Sequence, residues 1–257
     1  MSDLAERLRA RGVDAEVSWV GETESTSDDA KRVLAAGDRR VRVFVADHQT
    51  KGRGRNGNTW SADPGAGLLL SIALFPSLDP ASAPGLTLAV GAALAERLDA
   101  TLASLGRDAR VQIKWPNDLE IGEKKLAGIL VEAQTRGDRL ASVVVGVGIN
   151  VLPSVGNEEV ARRSAALTTR ERGRALDRAE LAFDVVDAIL SAVGRFERIG
   201  LGSALEELAR RDALLGARVR VGDVEGIASG IDATGALVVR TPAGDVPVAA
   251  GSVLRLT

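Results

Sequence analysis

Three basic residues and three glycines fall within ten positions in the run Lys51-Gly52-Arg53-Gly54-Arg55-Asn56-Gly57-Asn58-Thr59-Trp60. Glycine lets backbone amides come close to a ligand, and arginine presents forked donors that fit a phosphate or a carboxylate. The run therefore points to an anionic ligand, against the plainer reading of a solvated basic loop. Gly52, Gly54 and Gly57 match the spacing of a dinucleotide fingerprint, but that fingerprint needs a helix directly after it. Residues 59–65, with Pro64 and Gly65, cannot supply one. A Walker A loop fails because Asn58 stands where its lysine is required.

A second cluster, Lys114-Trp115-Pro116-Asn117-Asp118, closes a strand. Pro116 bends the chain and removes a ladder donor, so Lys114 and Asp118 project at a strand end, as chemistry or as an ordinary turn. In the third, strand alternation over residues 125–131 puts Lys125 on one face with Ala127, Ile129 and Val131, and Leu126, Gly128 and Leu130 on the other. Both faces are apolar, so the strand is expected to be interior. An unpaired ammonium there is costly, and Lys125 should meet an anion, either an internal carboxylate or a ligand. Gly146 and Gly148 interrupt a β run just before Asn150, which leaves space for a flat ring against the backbone or for close strand packing. Ser25, Thr26 and Ser27 sit at a strand-to-helix junction, where they can cap the helix and where N–H groups face a polar ligand. His48, the single histidine, is read as a loop residue without a carboxylate partner.

The elements that must position these clusters follow from periodicity. Strands are expected at residues 16–22 and 41–47, with a helix between them from about Ser27 to Ala36, and another strand at 67–75. Leu86, Val90, Leu94, Leu98, Leu102 and Leu105 recur at steps close to four, the stripe of a core-facing helix. Strands at 111–115, 119–121, 125–133 and 140–151 follow, the second and third joined by a hairpin at Gly122-Glu123. Asp177 with Glu180 marks the start of a helix reaching Phe196, and a shorter helix occupies 203–211. From residue 214 short β runs alternate with turn residues, the texture of a small barrel.

Composition excludes several kinds of chemistry. The 257 residues contain no Cys and one His, so a thiolate nucleophile, a disulfide framework and a His-rich metal centre are ruled out, and no resident metal site is expected. With 33 Lys plus Arg against 35 Asp plus Glu, the whole chain offers no electrostatic attraction to nucleic acid or membrane. Its apolar runs fall short of the roughly 20 residues of a membrane span, and its N-terminus lacks the apolar core of a secretion signal. A cytoplasmic location is expected.

Taken in order, Gly52-Arg53-Gly54-Arg55 with Trp60, Lys114-Trp115-Pro116-Asn117-Asp118, Lys125-Leu126-Ala127-Gly128-Ile129-Leu130 and Gly146-Val147-Gly148-Ile149-Asn150 resemble the biotin–protein ligases, also called biotin–acetyl-CoA-carboxylase synthetases. The resemblance covers about residues 24–151 and the C-terminal barrel. It implies an α+β fold, a mostly antiparallel mixed sheet flanked by helices, followed by an SH3-like barrel. The corresponding division is an N-terminal extension at 1–16, a catalytic domain at 17–212 and the barrel at 213–257.

The resemblance also implies the reaction. Biotin and ATP with Mg2+ form biotinoyl-5′-AMP and pyrophosphate, and a lysine of a biotin carboxyl-carrier domain then takes the biotinoyl group. That domain would belong to an acetyl-CoA, acyl-CoA or pyruvate carboxylase. Joining two anions requires cations, and Arg53, Arg55, Lys114 and Lys125 are available. By resemblance, Ser25, Thr26, Ser27 and Gln49 meet the biotin rings, while Gly52, Arg53, Gly54 and Arg55 with Trp60 close over the adenylate. Lys125 beside Gly128 holds the biotin carboxylate or bridging phosphate, Asn150 faces the adenine, and Asp118 orients or deprotonates the acceptor lysine. A glycine-rich loop that orders only over ligand would protect the anhydride from water, so weak order is expected between Lys51 and Ser61 in the free protein. Three positions depart from the family pattern: Asn56 and Asn58 replace common basic residues, and Ser27 replaces a common Asn. Some relatives begin with a DNA-binding helix-turn-helix domain, for which the chain before Glu16 is too short, so no DNA partner is expected. A homodimer is left open. The rivals are a lipoate or octanoate–protein ligase of the same fold, a biotin sensor without transfer activity, and an RNA-binding module, which the scarcity of aromatic residues disfavours.

Overall fold

A computed structural model describes residues 2–136, 139–169 and 176–256. The chain opens with α1 (Ser2–Ala10), β1 (Ala15–Thr23), α2 (Thr26–Ala35), β2 (Val41–Gln49), β3 (Gly67–Leu74) and α3 (Ala83–Ser104). Four strands follow, β4 (Gln112–Lys114), β5 (Asp118–Ile121), β6 (Lys124–Arg136) and β7 (Arg139–Asn150), then α4 (Glu158–Arg163), α5 (Arg178–Ile199) and α6 (Leu205–Arg211). The first seven strands form one sheet in the order β1-β2-β3-β7-β6-β5-β4. Only β1 and β2 run parallel, joined through α2; every other neighbouring pair is antiparallel.

The two faces of this sheet differ in chemistry, and that difference makes the cavity. On one face Val43, Val45, Leu70, Ile72, Val145 and Ile129 pack against α3 and α5 in the main core. The stripe predicted for α3 lies there, with Leu86, Val90, Leu94, Leu98 and Leu102 fully buried. The opposite face carries Phe44, Ala73 and Val144 beneath α2. Farther along β3 and β7, and on neighbouring β6, it carries Ser71, Gly146, Gly148 and Gly128, which leave space above the sheet.

α1 buries Leu4 and Leu8 in the main core and contacts α5 and β1, so the segment expected as an N-terminal extension is packed into the same core as the large sheet. The hairpin between β5 and β6 turns at Gly122 and Glu123, both at positive φ, and pairs Ile121 with Lys124. Asp177 caps α5 by accepting from the Ala179 and Glu180 amides. β2 extends through Gln49, which makes His48 a strand residue rather than a loop residue. α4 has no counterpart among the expected elements, although Asn157 before Glu158-Glu159 and Arg162-Arg163 at the far end carry a short helix's capping and charge pattern.

After residue 213 come β8 (Arg218–Val221), β9 (Val224–Ile231), β10 (Leu237–Thr241), β11 (Gly244–Val248) and β12 (Val253–Arg255). They form an antiparallel sheet in the order β11-β10-β9-β8-β12. β12, only three residues long, too short to show an alternation, is the strand that periodicity missed. Val219, Val221, Leu237 and Val239 join the main core, and buried Trp115 donates its Nε1–H to the Gly235 carbonyl at 2.9 Å. Among the described residues no helix is long and apolar enough to cross a membrane.

Candidate functional site

A cavity of about 250 Å³ lies above the small-residue face, closed by the start of α2, the Gly-Arg loop, the β4–β5 turn and residues 251–253. Its floor is a buried hydroxyl cluster. Ser25 is the N-cap of α2, its side chain accepting from the Asp28 amide, which places Thr26 and Ser27 on the first turn facing β3. Thr26 Oγ1 lies 2.8 Å and Ser27 Oγ 2.9 Å from Ser71 Oγ. Gln49 Oε1 accepts from the Thr26 backbone N–H at 2.7 Å and from its hydroxyl at 2.9 Å. That leaves the Gln49 amide group as a donor for a ligand. Ser71, fully buried, was not singled out by sequence because an isolated Ser in an apolar strand gives no motif.

The Gly-Arg loop is a tight hairpin. Gly54 N–H donates to the Asn58 carbonyl at 2.7 Å, and Trp60 N–H to the Gly52 carbonyl at 3.0 Å. Gly52 lies outside the cavity lining; a Cβ there would sit 2.4 Å from the Trp60 carbonyl oxygen, so it allows the loop to close. Arg53 pairs with Glu132 and, at 3.3 Å, with Asp28, while Lys31 bridges the same two carboxylates at 3.0 and 3.1 Å. Arg55 donates to Asn117 Oδ1 at 3.3 Å and has no carboxylate at ion-pair distance among the described residues. Burial pushes its guanidinium below the usual arginine value, and the field of Asp118 acts the other way. It remains protonated, a partly desolvated cation poised for an anion.

Lys114 and Asp118 are cross-strand partners on β4 and β5, flanking a turn whose Trp115–Pro116 peptide is cis. Lys125 departs from the expected alternation. The pairing of β5 with β6 shifts between Leu119 and Glu120, so that Asp118 faces Gly128 while Glu120 faces Lys125. This bulge turns Leu126 into the core and Lys125 to the cavity side with Gly128 and Leu130, away from Ala127 and Ile129. The strand is interior as expected, but the ammonium is not buried: its side chain is 38% exposed and lies 2.7 Å from Asp118 Oδ1. Of the two partners considered for Lys125, the structure supplies the internal carboxylate.

The flat ring expected over the β7 glycines is the chain's own Trp60. Cβ atoms at Gly148 and Gly128 would lie 2.4 and 3.1 Å from the indole, and a Cβ at Gly146 would lie 2.7 Å from Ser27 Oγ. The Lys125 ammonium is 5.4 Å from the Trp60 ring centroid. Beyond this ring opens a second cleft, bounded by Thr59, Trp60, Lys125 and Asn150 and by Glu159 and Arg163 of α4. Asn150 belongs to that cleft and not to the main cavity, and its Nδ2 donates to the Lys125 carbonyl at 3.1 Å. His48 lines neither space. Six cations lie around the cavity: Arg53, Lys114, Lys125, Lys31 and Arg255 pair with four carboxylates, Asp28, Asp118, Glu120 and Glu132, and Arg55 donates to Asn117. The surplus positive charge favours an anionic occupant.

Residues 23–150 match the biotin/lipoate A/B protein ligase family, and residues 214–256 match the biotin protein ligase C-terminal domain. The bifunctional ligase/repressor BirA of Salmonella typhimurium is 36% identical over 241 residues, covering 91% of this chain and 72% of that protein. The biotin–[acetyl-CoA-carboxylase] ligase of Mycobacterium tuberculosis is 34% identical over 262 residues, covering 97% of this chain and 94% of its own length. Among solved structures, the biotin protein ligase from Aquifex aeolicus in complex with biotin and ATP superposes with a TM-score of 0.75 at 28% identity, over 94% of this chain and 99% of that one. With its motifs gathered around one cationic cavity and with the Mycobacterium tuberculosis ligase matched along nearly its full length, the chain belongs to the biotin/lipoate A/B protein ligase family, within its biotin protein ligases.

Proposed function

We propose that this chain attaches biotin to a lysine of a biotin carboxyl-carrier domain, using ATP, through biotinoyl-5′-AMP. The observation that carries the reading is the place of Lys125, which lines both the hydroxyl-floored cavity and the cleft beyond Trp60. In this reading biotin occupies the cavity. Its ureido group offers one acceptor and two donors, which suits Ser25, Thr26, Ser27 and Gln49, since hydroxyls serve in either sense. The nucleotide occupies the second cleft, with adenine toward Asn150 and Trp60. The carboxylate and the α-phosphate then meet at the divide, where Lys125, Lys114 and Arg55 offset their repulsion.

In the first step a biotin carboxylate oxygen forms a bond to the α-phosphorus and pyrophosphate leaves. The Mg2+ arrives with the nucleotide as part of the substrate. In the second step a neutral lysine amine attacks the acyl carbon, AMP leaves with the bridging oxygen, and the amine gives up one proton. Asp118 orients that amine while also holding Lys125. The carrier domain would come from an acetyl-CoA, acyl-CoA or pyruvate carboxylase.

The test is biotin-dependent exchange of labelled pyrophosphate into ATP, followed by mass spectrometry of a carboxyl-carrier domain. We expect exchange with biotin and not with lipoate, and one biotinoyl group on the carrier. Absence of biotin-dependent exchange would overturn the reading. Relatives bearing biotin ligase names leave the lipoate and RNA-binding rivals without a supporting observation.

A further inference from the structure

Glu120 is the most deeply buried carboxylate around the cavity, at 3% exposure of its side chain against 23% for Asp118 and 25% for Glu132. It is shared between two cations from different parts of the chain. Lys114, which lines the cavity, lies 3.1 Å from Oε1, and Arg255 of β12 lies 2.9 Å from Oε2. Arg255 is itself anchored, donating through Nη2 to the Ala213 carbonyl at 2.9 Å.

A buried carboxylate that loses its only counter-ion carries a large penalty, whereas one with two counter-ions can release one. Asp118 and Glu132, being more exposed, can fall back on water. Glu120 cannot, and Arg255 is what remains if Lys114 moves. We propose that Glu120 is a positioning residue that holds the Lys114 ammonium at the cavity wall, and that Arg255 keeps Glu120 compensated when Lys114 turns to a polyphosphate anion. The inference rests on the proposed ligase reaction, deepening it at the nucleotide side.

Shared charge predicts shifts of opposite sign, which a merely structural contact does not. Removing Arg255 leaves Glu120 dependent on Lys114 and ties that ammonium down; removing the carboxylate frees Lys114 without fixing its position. In the biotin-dependent adenylation assay, Arg255→Gln should raise KM for MgATP about fivefold or more, and Arg255→Lys, which keeps the cation, should lie close to the wild type. Glu120→Gln should lower KM for MgATP about threefold while kcat falls about tenfold, and Glu120→Gln combined with Arg255→Gln should keep that lowered KM, because Arg255 acts only through the carboxylate. KM for biotin should stay within about twofold throughout, and thermal midpoints establish which variants fold.

If Glu120→Gln does not fold, Arg255→Gln against Arg255→Lys decides the matter alone: equal KM for MgATP in both overturns the proposal. So does a shift of KM in the same direction for Arg255→Gln and Glu120→Gln. Wild-type chain that makes no biotinoyl-5′-AMP would remove the ligase reading itself, whereas an active wild type with unshifted variants removes only this inference.

Discussion

Four cations line the cavity and three have carboxylate partners: Arg53 with Glu132 and Asp28, Lys114 with Glu120, and Lys125 with Asp118. Arg55, which among the described residues donates to Asn117 and pairs with no carboxylate, is the residue whose charge the fold leaves for a ligand to satisfy. Asp118 has two tasks in the proposed reaction, fixing Lys125 and orienting the acceptor amine, and they separate by half-reaction. Asp118→Asn is expected to slow transfer from supplied biotinoyl-5′-AMP roughly a hundredfold and adenylate formation by less than about tenfold. Rapid-quench measurement of each half-reaction checks this; equal losses would assign Asp118 to Lys125 only.

Among the elements, the β6–β7 pair does most to shape the site. A bulge carries Lys125 across to the cavity face, and glycines at 128 and 148 give the Trp60 ring a flat seat. A methyl group at Gly148 would fall well inside contact distance of the indole, so the ring must leave its seat. Gly148→Ala should therefore increase iodide quenching of Trp60 emission, read in a Trp19→Phe background where the remaining Trp115 is buried. It should also raise KM for MgATP about tenfold, because the ring forms the wall between the two chambers. Unchanged quenching with unchanged KM would show that this seat does not hold Trp60.

For the molecule as a whole, the C-terminal sheet is part of the catalytic unit's packing. It shares the main core, receives the Trp115 hydrogen bond at Gly235, places residues 251–253 on the cavity wall and sends Arg255 to Glu120. Asn56 of the Gly-Arg loop also donates to Ser252 Oγ at 3.4 Å. Trp115→Phe removes a buried donor and leaves a carbonyl unpaired, a loss of about 1–3 kcal/mol. Urea denaturation should show one transition with a lowered midpoint; two separate transitions would mean that the sheet folds independently of the rest.

Sequence alone was sufficient for the properties that local periodicity and residue chemistry encode. The leucine stripe of α3, the Gly122-Glu123 turn, the Ser25 cap and the Arg-Gly and Lys-Trp-Pro-Asn-Asp clusters each follow from contacts within a few residues. What it could not encode is where distant segments meet. The bulge that reverses Lys125 arises from the pairing of β5 with β6, and strict alternation has no means of showing it. Trp60 filling the glycine seat, Ser71 beneath Thr26 and Ser27, and Arg255 reaching Glu120 join residues far apart in the chain. Such contacts are selected by the three-dimensional balance of space and charge, which only the assembled fold decides.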